Sequence, residues 1–351
     1  MKIFSLLYKK IIIIIFKLYY GKIEIGKVSL SKKKKIIDKK VNYYFYEIEN
    51  CRVYTNTNDV AYIRDNIIID GPSLQIRSNG NNSNINNNTV LFNGTPKKHL
   101  NYNCRVFSLL TGLDANHNYF HWFFDSLPRF FLFKKFYKFK KNDFFLVQNY
   151  LYDYQKISLK MLGVKNVINA YDVKHILAKQ IIAVKFIRKH SNPPIWLSKH
   201  LSFFFNQKKF INKQKFNIFI DRSGVSSKVR DLGNKKELLN LLKKNNFKII
   251  DPSKLNFLDE IKIFQNANIV AGIYGAGLTN IIFCNKKCKI IEFRYNKSDQ
   301  LYENIANHIG LKFISISEKK INNSTTNRNF DGTIIVPLNK LSSIFDKIKP
   351  F

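Results

Sequence analysis

Cysteine is scarce in this sequence, and four residues in 351 cannot form a disulfide framework. Cys284 and Cys288 lie close together but have no second ligand pair, which argues against zinc. The four therefore read as free thiols of a reducing, cytoplasmic compartment. A long apolar run is missing too. Residues 11–16 are strongly apolar, but Lys9, Lys10 and Lys17 bracket them, and a spanning helix needs about 20 apolar residues. No small-residue cleavage site follows, since Gly21 and Lys22 lead into more Lys and Ile. The 1–40 segment reads in one of two ways: a basic, apolar stretch lying on a membrane surface, or a buried strand or helix with solvated lysines. Acidic residues are few as well, 24 against 59 Lys and Arg, for a net charge of +35. That excess fits an anionic partner (nucleic acid, a membrane surface or a phosphorylated small molecule), or the codon bias of an AT-rich genome. Hydrophobic residues at 45% and charged residues at 24% exclude wholesale disorder. The length allows about two domains.

Between 41 and 78, short apolar and aromatic runs separated by Asn-Asp and Asp-Gly breaks predict β-hairpins. The Asn-rich run 79–88 predicts a loop. From Leu113 the character changes. Residues 118–136 predict a long aromatic helix that Pro128 kinks or ends, followed by a strand at 143–148, a helix at 154–162 and a strand at 164–168. The stretch 188–215, with Asn192-Pro193-Pro194 and many Lys and Asn, predicts an interdomain connection. Strands and helices then alternate: 216–220, 234–245, 247–250, 257–267, 269–273, a helix from Leu278, 289–293, 300–308 and 311–316. Asn234 and Glu237 have capping-box spacing at the start of the second of these. Such alternation predicts a parallel sheet with helices on both faces, a Rossmann-like domain that binds ligands at the carboxyl ends of its strands.

Four places carry candidate chemistry. The strand 269–273 runs into Tyr274-Gly275-Ala276-Gly277-Leu278-Thr279-Asn280, a turn suited to close ligand approach at a helix N-terminus. It is neither G-x-G-x-x-G nor a P-loop, and a tight strand-to-helix turn without a ligand has the same pattern. Arg222, in Ile220-Asp221-Arg222-Ser223-Gly224, and Arg230 lie just past a strand's carboxyl end, where guanidinium groups suit phosphate oxygens; solvated arginines are the alternative. His117, His121 and Asp125 step by four along one helix stripe. They fit a metal trio, a general base oriented by a histidine, or buried polar bridges. Glu292, at the end of a strand, fits either a ribose-binding carboxylate or an exposed strand end.

Together these segments resemble glycosyltransferase family 61, common among bacterial polysaccharide-synthesis enzymes. The carrying residues are 118–129 (Asn-Tyr-Phe-His-Trp-Phe-Phe-Asp-Ser-Leu-Pro-Arg), Arg222 with Arg230 and Asn234-Lys-Lys-Glu237-Leu238, Gly275 to Asn280 through Phe283, and Ile291-Glu292. The resemblance runs from about 51 to 317. It implies an α/β, GT-B-type fold: two Rossmann-like domains facing a cleft, with short β-hairpins near the N-terminus. The expected division is 1–40, an acceptor-side domain at 41–200 and a nucleotide-sugar-binding domain at 201–351. The family has His where this chain has Tyr274, which stacks or donates a hydrogen bond but supplies no cation.

The resemblance implies an inverting glycosyltransferase that moves a hexose or pentose from a nucleotide-sugar to a hydroxyl of a glycan or lipid-linked acceptor in surface polysaccharide (capsule) synthesis. No cofactor or metal is expected. Asp125 is the expected base, with His121 orienting or replacing it. Arg222, Arg230 and the N–H groups at Gly277 and Leu278 are expected to stabilise the leaving diphosphate. Tyr274, Gly275, Ala276, Thr279, Asn280 and Glu292 complete the expected donor site. The expected location is the cytoplasm or the cytoplasmic face of an anionic membrane. A catalytically inactive family member that binds nucleotide or glycan is the first alternative. A basic nucleic-acid-binding protein is the second, and it is disfavoured because the aromatics sit in apolar, core-like runs.

Overall fold

The computed structural model describes residues 2–27, 31–37, 41–56, 59–73, 84–111, 118–185, 187–188, 192–207, 210, 215–222, 230–295, 299–323 and 332–348. His117, Ser223, Gly224 and the first part of the Asn-rich run lie outside them. The chain divides into two compact units, Met1–Arg188 and Lys189–Phe351.

The first unit is built on a nine-stranded mixed sheet. Its pivot is His175–Val184, which pairs antiparallel with Val41–Thr55 and parallel with Leu100–Ser108. On the parallel side follow Phe144–Val147 and Val167–Asn169. On the antiparallel side Val41–Thr55 pairs with Ser31–Ile37 and Val60–Arg64. The hairpin region and the Rossmann-like part therefore share one sheet. The runs at 43–46 and 51–54, expected as separate strands, are one 15-residue strand. Part of the Asn-rich run is structured: Asn84 caps the short helix Ile85–Asn87, and buried Asn88 donates to the Val60 carbonyl at 3.2 Å.

A helix spans Lys2–Tyr20. A second helical stretch begins at Tyr119, and of the two outcomes expected at Pro128 the helix is distorted there rather than ended. Trp122–Ser126 widen into a π-turn in which the Leu127 N–H donates to the Trp122 carbonyl, and the α-helix continues as Leu127–Phe136. Proline has no N–H to give the preceding turn, and the wider turn accommodates that gap. Trp122, Phe123, Phe124, Phe130 and Phe133 are fully buried with Phe45 and Phe107. Each such side chain stabilises the unit by roughly 1.5–3 kcal/mol relative to exposure.

The second unit carries a five-stranded, wholly parallel sheet. Its spatial order is Phe247–Ile250, Phe216–Ile220, Ala267–Ile273, Lys289–Tyr295, Lys312–Glu318. The helices Lys235–Lys244, Phe257–Gln265 and Leu301–Ile309 alternate with these strands. Residues expected to be a bare connection form the helix Ile195–Phe205, which buries Leu197, Leu201 and Phe205. The capping box at Asn234 does not form. Its amide instead pairs with Val336 in both directions, donating to the carbonyl at 2.8 Å and accepting the N–H at 3.0 Å.

Candidate functional site

In the second unit, Phe216–Ile220 and Ala267–Ile273 are neighbours, and the chain leaves them toward opposite edges of the sheet. Numbered by appearance, the strand order is 2-1-3-4-5, and the order reverses between these two strands, the place where sheets of this kind bind ligands at their carboxyl ends. Arg222 follows one of these two strands and the Tyr274 to Gly277 turn follows the other. Gly275 has a φ of 162°, extended backbone that any residue adopts, so the glycine is needed for space. A Cβ there would run into the Arg222 guanidinium and lie 3.1 Å from Arg230 NH1. A Cβ at Gly277 would lie 2.9 Å from Ile220 Cγ2. The two glycines thus let the turn settle against both arginines and the first strand's end.

Arg230 NH1 donates to the Tyr274 carbonyl at 2.9 Å, and its guanidinium lies 5.5 Å from the Tyr274 ring centroid. The Tyr274 hydroxyl donates to Asp299 Oδ1 at 2.6 Å, and its ring meets Tyr302 edge-on. Burial pushes both phenols well above their usual range, so both remain protonated. Tyr274 itself is neutral, and the cation beside it is Arg230.

The turn continues into the 3₁₀-helix Ala276–Phe283. The expectation that the Leu278 N–H faces a ligand is corrected: it donates to the Gly275 carbonyl at 2.9 Å. The N–H groups of Ala276 and Gly277 precede this first bond of the helix. Leu278, Thr279 and Asn280 are fully buried, and Asn280 donates to Glu260 at 2.7 Å. These three support the turn from below.

Glu292 is neither at a strand end nor exposed. It sits inside Lys289–Tyr295, fully buried, with Arg294 NH1 3.3 Å from one carboxylate oxygen and no hydrogen bond to the other among the described residues. Burial pushes its carboxyl up to about 8; Arg294 opposes the shift, while Asp299 and Glu303 add to it. Arg294 is shared, since its NH2 also donates to Glu303 at 2.9 Å.

In the first unit, Asn118 caps the aromatic helix, accepting from the Phe120 N–H at 2.9 Å. The next turn brings together His121 and Asp125, with His121 Nδ1 2.6 Å from Asp125 Oδ2. Arg188 encloses the carboxylate from the other side: Nε lies 2.8 Å from Oδ1, and NH2 donates to Oδ2 at 3.0 Å. Burial alone would raise the Asp125 carboxyl, but the Arg188 charge and the His121 and Arg188 hydrogen bonds outweigh it and hold it down at about 2. Asp125 is therefore a permanent anion at neutral pH. With Nδ1 turned to the carboxylate, His121 keeps Nε2 for other work.

Buried Arg129 sets this geometry. Its Nε donates to the Asp125 carbonyl at 3.2 Å and its NH1 to the Val184 carbonyl, joining the helix to the strand end that leads to Arg188. Ser126 ties the same helix to the Leu109 carbonyl at 2.8 Å, just past Leu100–Ser108. The pair thus lies at the carboxyl ends of parallel strands. Sequence reasoning missed Arg188. The available signal was its place just past a strand, the criterion that selected Arg222.

The family model for Glycosyltransferase 61 matches residues 119–291, a stretch that includes His121, Asp125, Arg188, Arg222, Arg230 and the Gly275 turn. The chain is also similar to the EGF domain-specific O-linked N-acetylglucosamine transferases of Rattus norvegicus, Pan troglodytes and Mus musculus, at 30% identity over 95 residues. Those residues are 26% of this chain and 18% of each relative, so the match spans less than a fifth of the relatives' length. On the match over residues 119–291, the chain belongs to glycosyltransferase family 61.

Proposed function

We propose that this protein is an inverting glycosyltransferase of GT-B type. Residues 189–351 bind a nucleotide-sugar, and residues 1–188 supply the base that activates a hydroxyl of a glycan or lipid-linked acceptor in surface polysaccharide synthesis. The observation that carries this reading is the switch point of the sheet, where Arg222 and Arg230 close on the Gly275 turn. A diphosphate is the ligand that two guanidinium groups and the free N–H groups of such a turn would recognise. The relatives' name puts N-acetylglucosamine donors first in a screen. Four free thiols, Cys51, Cys104, Cys284 and Cys288, support a reducing, cytoplasmic setting.

Transfer is a single displacement. The acceptor oxygen bonds to the anomeric carbon as the bond to the diphosphate oxygen breaks, and the acceptor proton passes to the base. A carboxylate held near 2 by Arg188 is a weak proton acceptor, so the roles reverse from the sequence expectation. His121 takes the proton on Nε2, while Asp125 fixes the ring and stabilises the imidazolium. Arg222, Arg230 and the N–H groups of Ala276 and Gly277 stabilise the departing charge without a metal in this reading.

Calorimetric donor titration and transfer rates on the same variants test this. Arg222→Ala and Arg230→Ala should each weaken donor binding about ten- to a hundred-fold. His121→Ala should leave donor affinity intact and slow turnover by about 10²–10⁴-fold. A normal rate for His121→Ala, with Asp125→Asn inactive, would return the base role to Asp125. A second reading, nucleotide binding without turnover, draws on the engaged, neutral Tyr274. Donor binding with neither transfer nor hydrolysis across UDP-, GDP- and CMP-sugars would establish it.

A further inference from the structure

The helix Lys2–Tyr20 has two faces of different character. Its inward face is half-buried at Ile12, Ile13, Phe16, Lys17 and Tyr20. Tyr20 packs against His99 and His175, and Ile12 and Ile13 share a shallow cavity with Tyr54, Thr89 and Pro96. The outward face carries Phe4, Leu7, Ile11, Ile14, Ile15 and Leu18, recurring at three- and four-residue steps and therefore forming one continuous stripe. All six are exposed, from 47% at Ile11 to 82% at Leu18. Exposed apolar side chains elsewhere are scattered along the chain, whereas these six form one contiguous band, and such a band needs an occupant.

We propose that this stripe seats on an anionic lipid bilayer, with the helix lying in the plane of the interface. Charge selects the occupant. Lys9 and Lys10 are exposed outside the stripe, and Lys10 borders one edge of it by helical geometry, where its stem can lie on apolar surface while the ammonium group reaches phosphate. The whole chain carries +35, which an anionic surface attracts and a second copy of the same chain repels. Spanning is the wrong mode: no helix among the described residues is long and apolar enough to cross a membrane, and two lysines sit midway along this one. The inward contacts with Tyr54, His99 and His175 also hold the helix flat on its own unit. Lipid docking is independent of the transferase reading. It would bring the protein to a surface where lipid-linked acceptors reside.

Flotation of the full chain with vesicles of equal parts phosphatidylglycerol and phosphatidylcholine tests the proposal, with pure phosphatidylcholine as the comparison. The protein should float with the anionic vesicles only, and salt should release it. Ile11→Asp with Ile15→Asp changes two exposed positions, so circular dichroism should match the parent. Partition should fall about a hundred-fold, ten-fold for each side chain. Lys10→Gln should lower it about five-fold. Equal binding to both vesicle types, no binding to either, or unchanged partition of the aspartate variant overturns the proposal. So does a dimer by sedimentation velocity that Ile11→Asp with Ile15→Asp dissolves while flotation is absent, because the stripe then covers a second copy. Donor titration on the aspartate variant should match the parent, so that failure of lipid docking and failure of the transferase reading are seen separately.

Discussion

Asp125 in the first unit and Glu292 in the second are both fully buried carboxylates beside an arginine, and they end in opposite protonation states. Asp125 has two cation-capable neighbours, His121 at 2.6 Å and Arg188 at 2.8 Å, one on each oxygen. Glu292 has one arginine at 3.3 Å, which it shares with Glu303, and Asp299 adds a further negative charge. Burial penalises both charges alike, so the number and closeness of the partners decide the outcome. The first arrangement keeps an anion ready to orient a histidine. The second keeps a neutral carboxyl as part of the floor under the Tyr274 turn.

Removing the partner that distinguishes the two should have the largest effect. Arg188→Met leaves Asp125 buried with His121 alone and should destabilise the protein by about 3–5 kcal/mol in urea denaturation. A loss under about 1 kcal/mol would mean that Arg188 does not hold the charge.

Next comes the pH dependence of Glu292. Its folded value is raised from 4.5 to about 8, so the native state binds the extra proton between those values. This contribution is complete below about pH 4.5 and is lost as pH rises toward 8, with a slope of up to about 1.4 kcal/mol per pH unit. Glu292→Gln should remove that slope and be more stable than the parent at alkaline pH. His175 in the first unit should show the opposite sign. Burial first, with Arg52 and His99 adding to it, lowers its imidazole from 6.5 to about 4, so its contribution is present above 6.5 and is lost as pH falls through 4. Hydrogen exchange across pH, read separately over 41–188 and 215–348, resolves the two trends. Parallel trends in both units would break the comparison.

Smaller still, Gly275→Ala pushes aside the flexible end of the half-exposed Arg222 side chain and should cost about 1 kcal/mol in thermal stability, with weaker donor binding as the larger readout. The smallest change is expected at an exposed pair. Lys33 is 3.0 Å from Glu47 and half exposed, and Lys33→Ala should shift stability by only about 0.2–1 kcal/mol in urea denaturation. A larger loss there would mean that burial is not what separates strong from weak pairs in this protein.

Much of the second unit was legible because its signals are local. Parallel strands buried on both faces are continuous apolar runs, and 216–220, 247–250 and 269–273 matched their strands within two residues. The His121–Asp125 contact followed from the four-residue helical step. The failures have a common cause in distant partners. Asn234 has the side chain of a cap, yet Val336, 102 residues on, offered both a donor and an acceptor. At Pro128 the sequence left a kinked and an ended helix open, and the hydrophobic burial of the residues around it decided for the first, carrying the helix through by way of a π-turn. Glu292 looked like a terminus because apolar residues thin out after Phe293, whereas pairing of Arg294 with Ser317 and Tyr295 with Glu318 extends the strand.

From the order of residues alone came the elements that depend on near neighbours: the strand runs, the helix stripe of His121 and Asp125, and the Gly-Ala-Gly turn after an apolar strand. Sequence also determined the scarcity of cysteine and the charge of +35. Tertiary structure decided which charges survive burial, because a carboxylate's state depends on groups brought to within about 4 Å from far along the chain. It also decided that Arg222 and Arg230 share one glycine, that Arg188 completes the Asp125 site, and that the Leu278 N–H is used within the turn. The two arginine contacts join segments whose spacing in sequence carries no record of their distance in space, and the Leu278 bond depends on the backbone path of the turn.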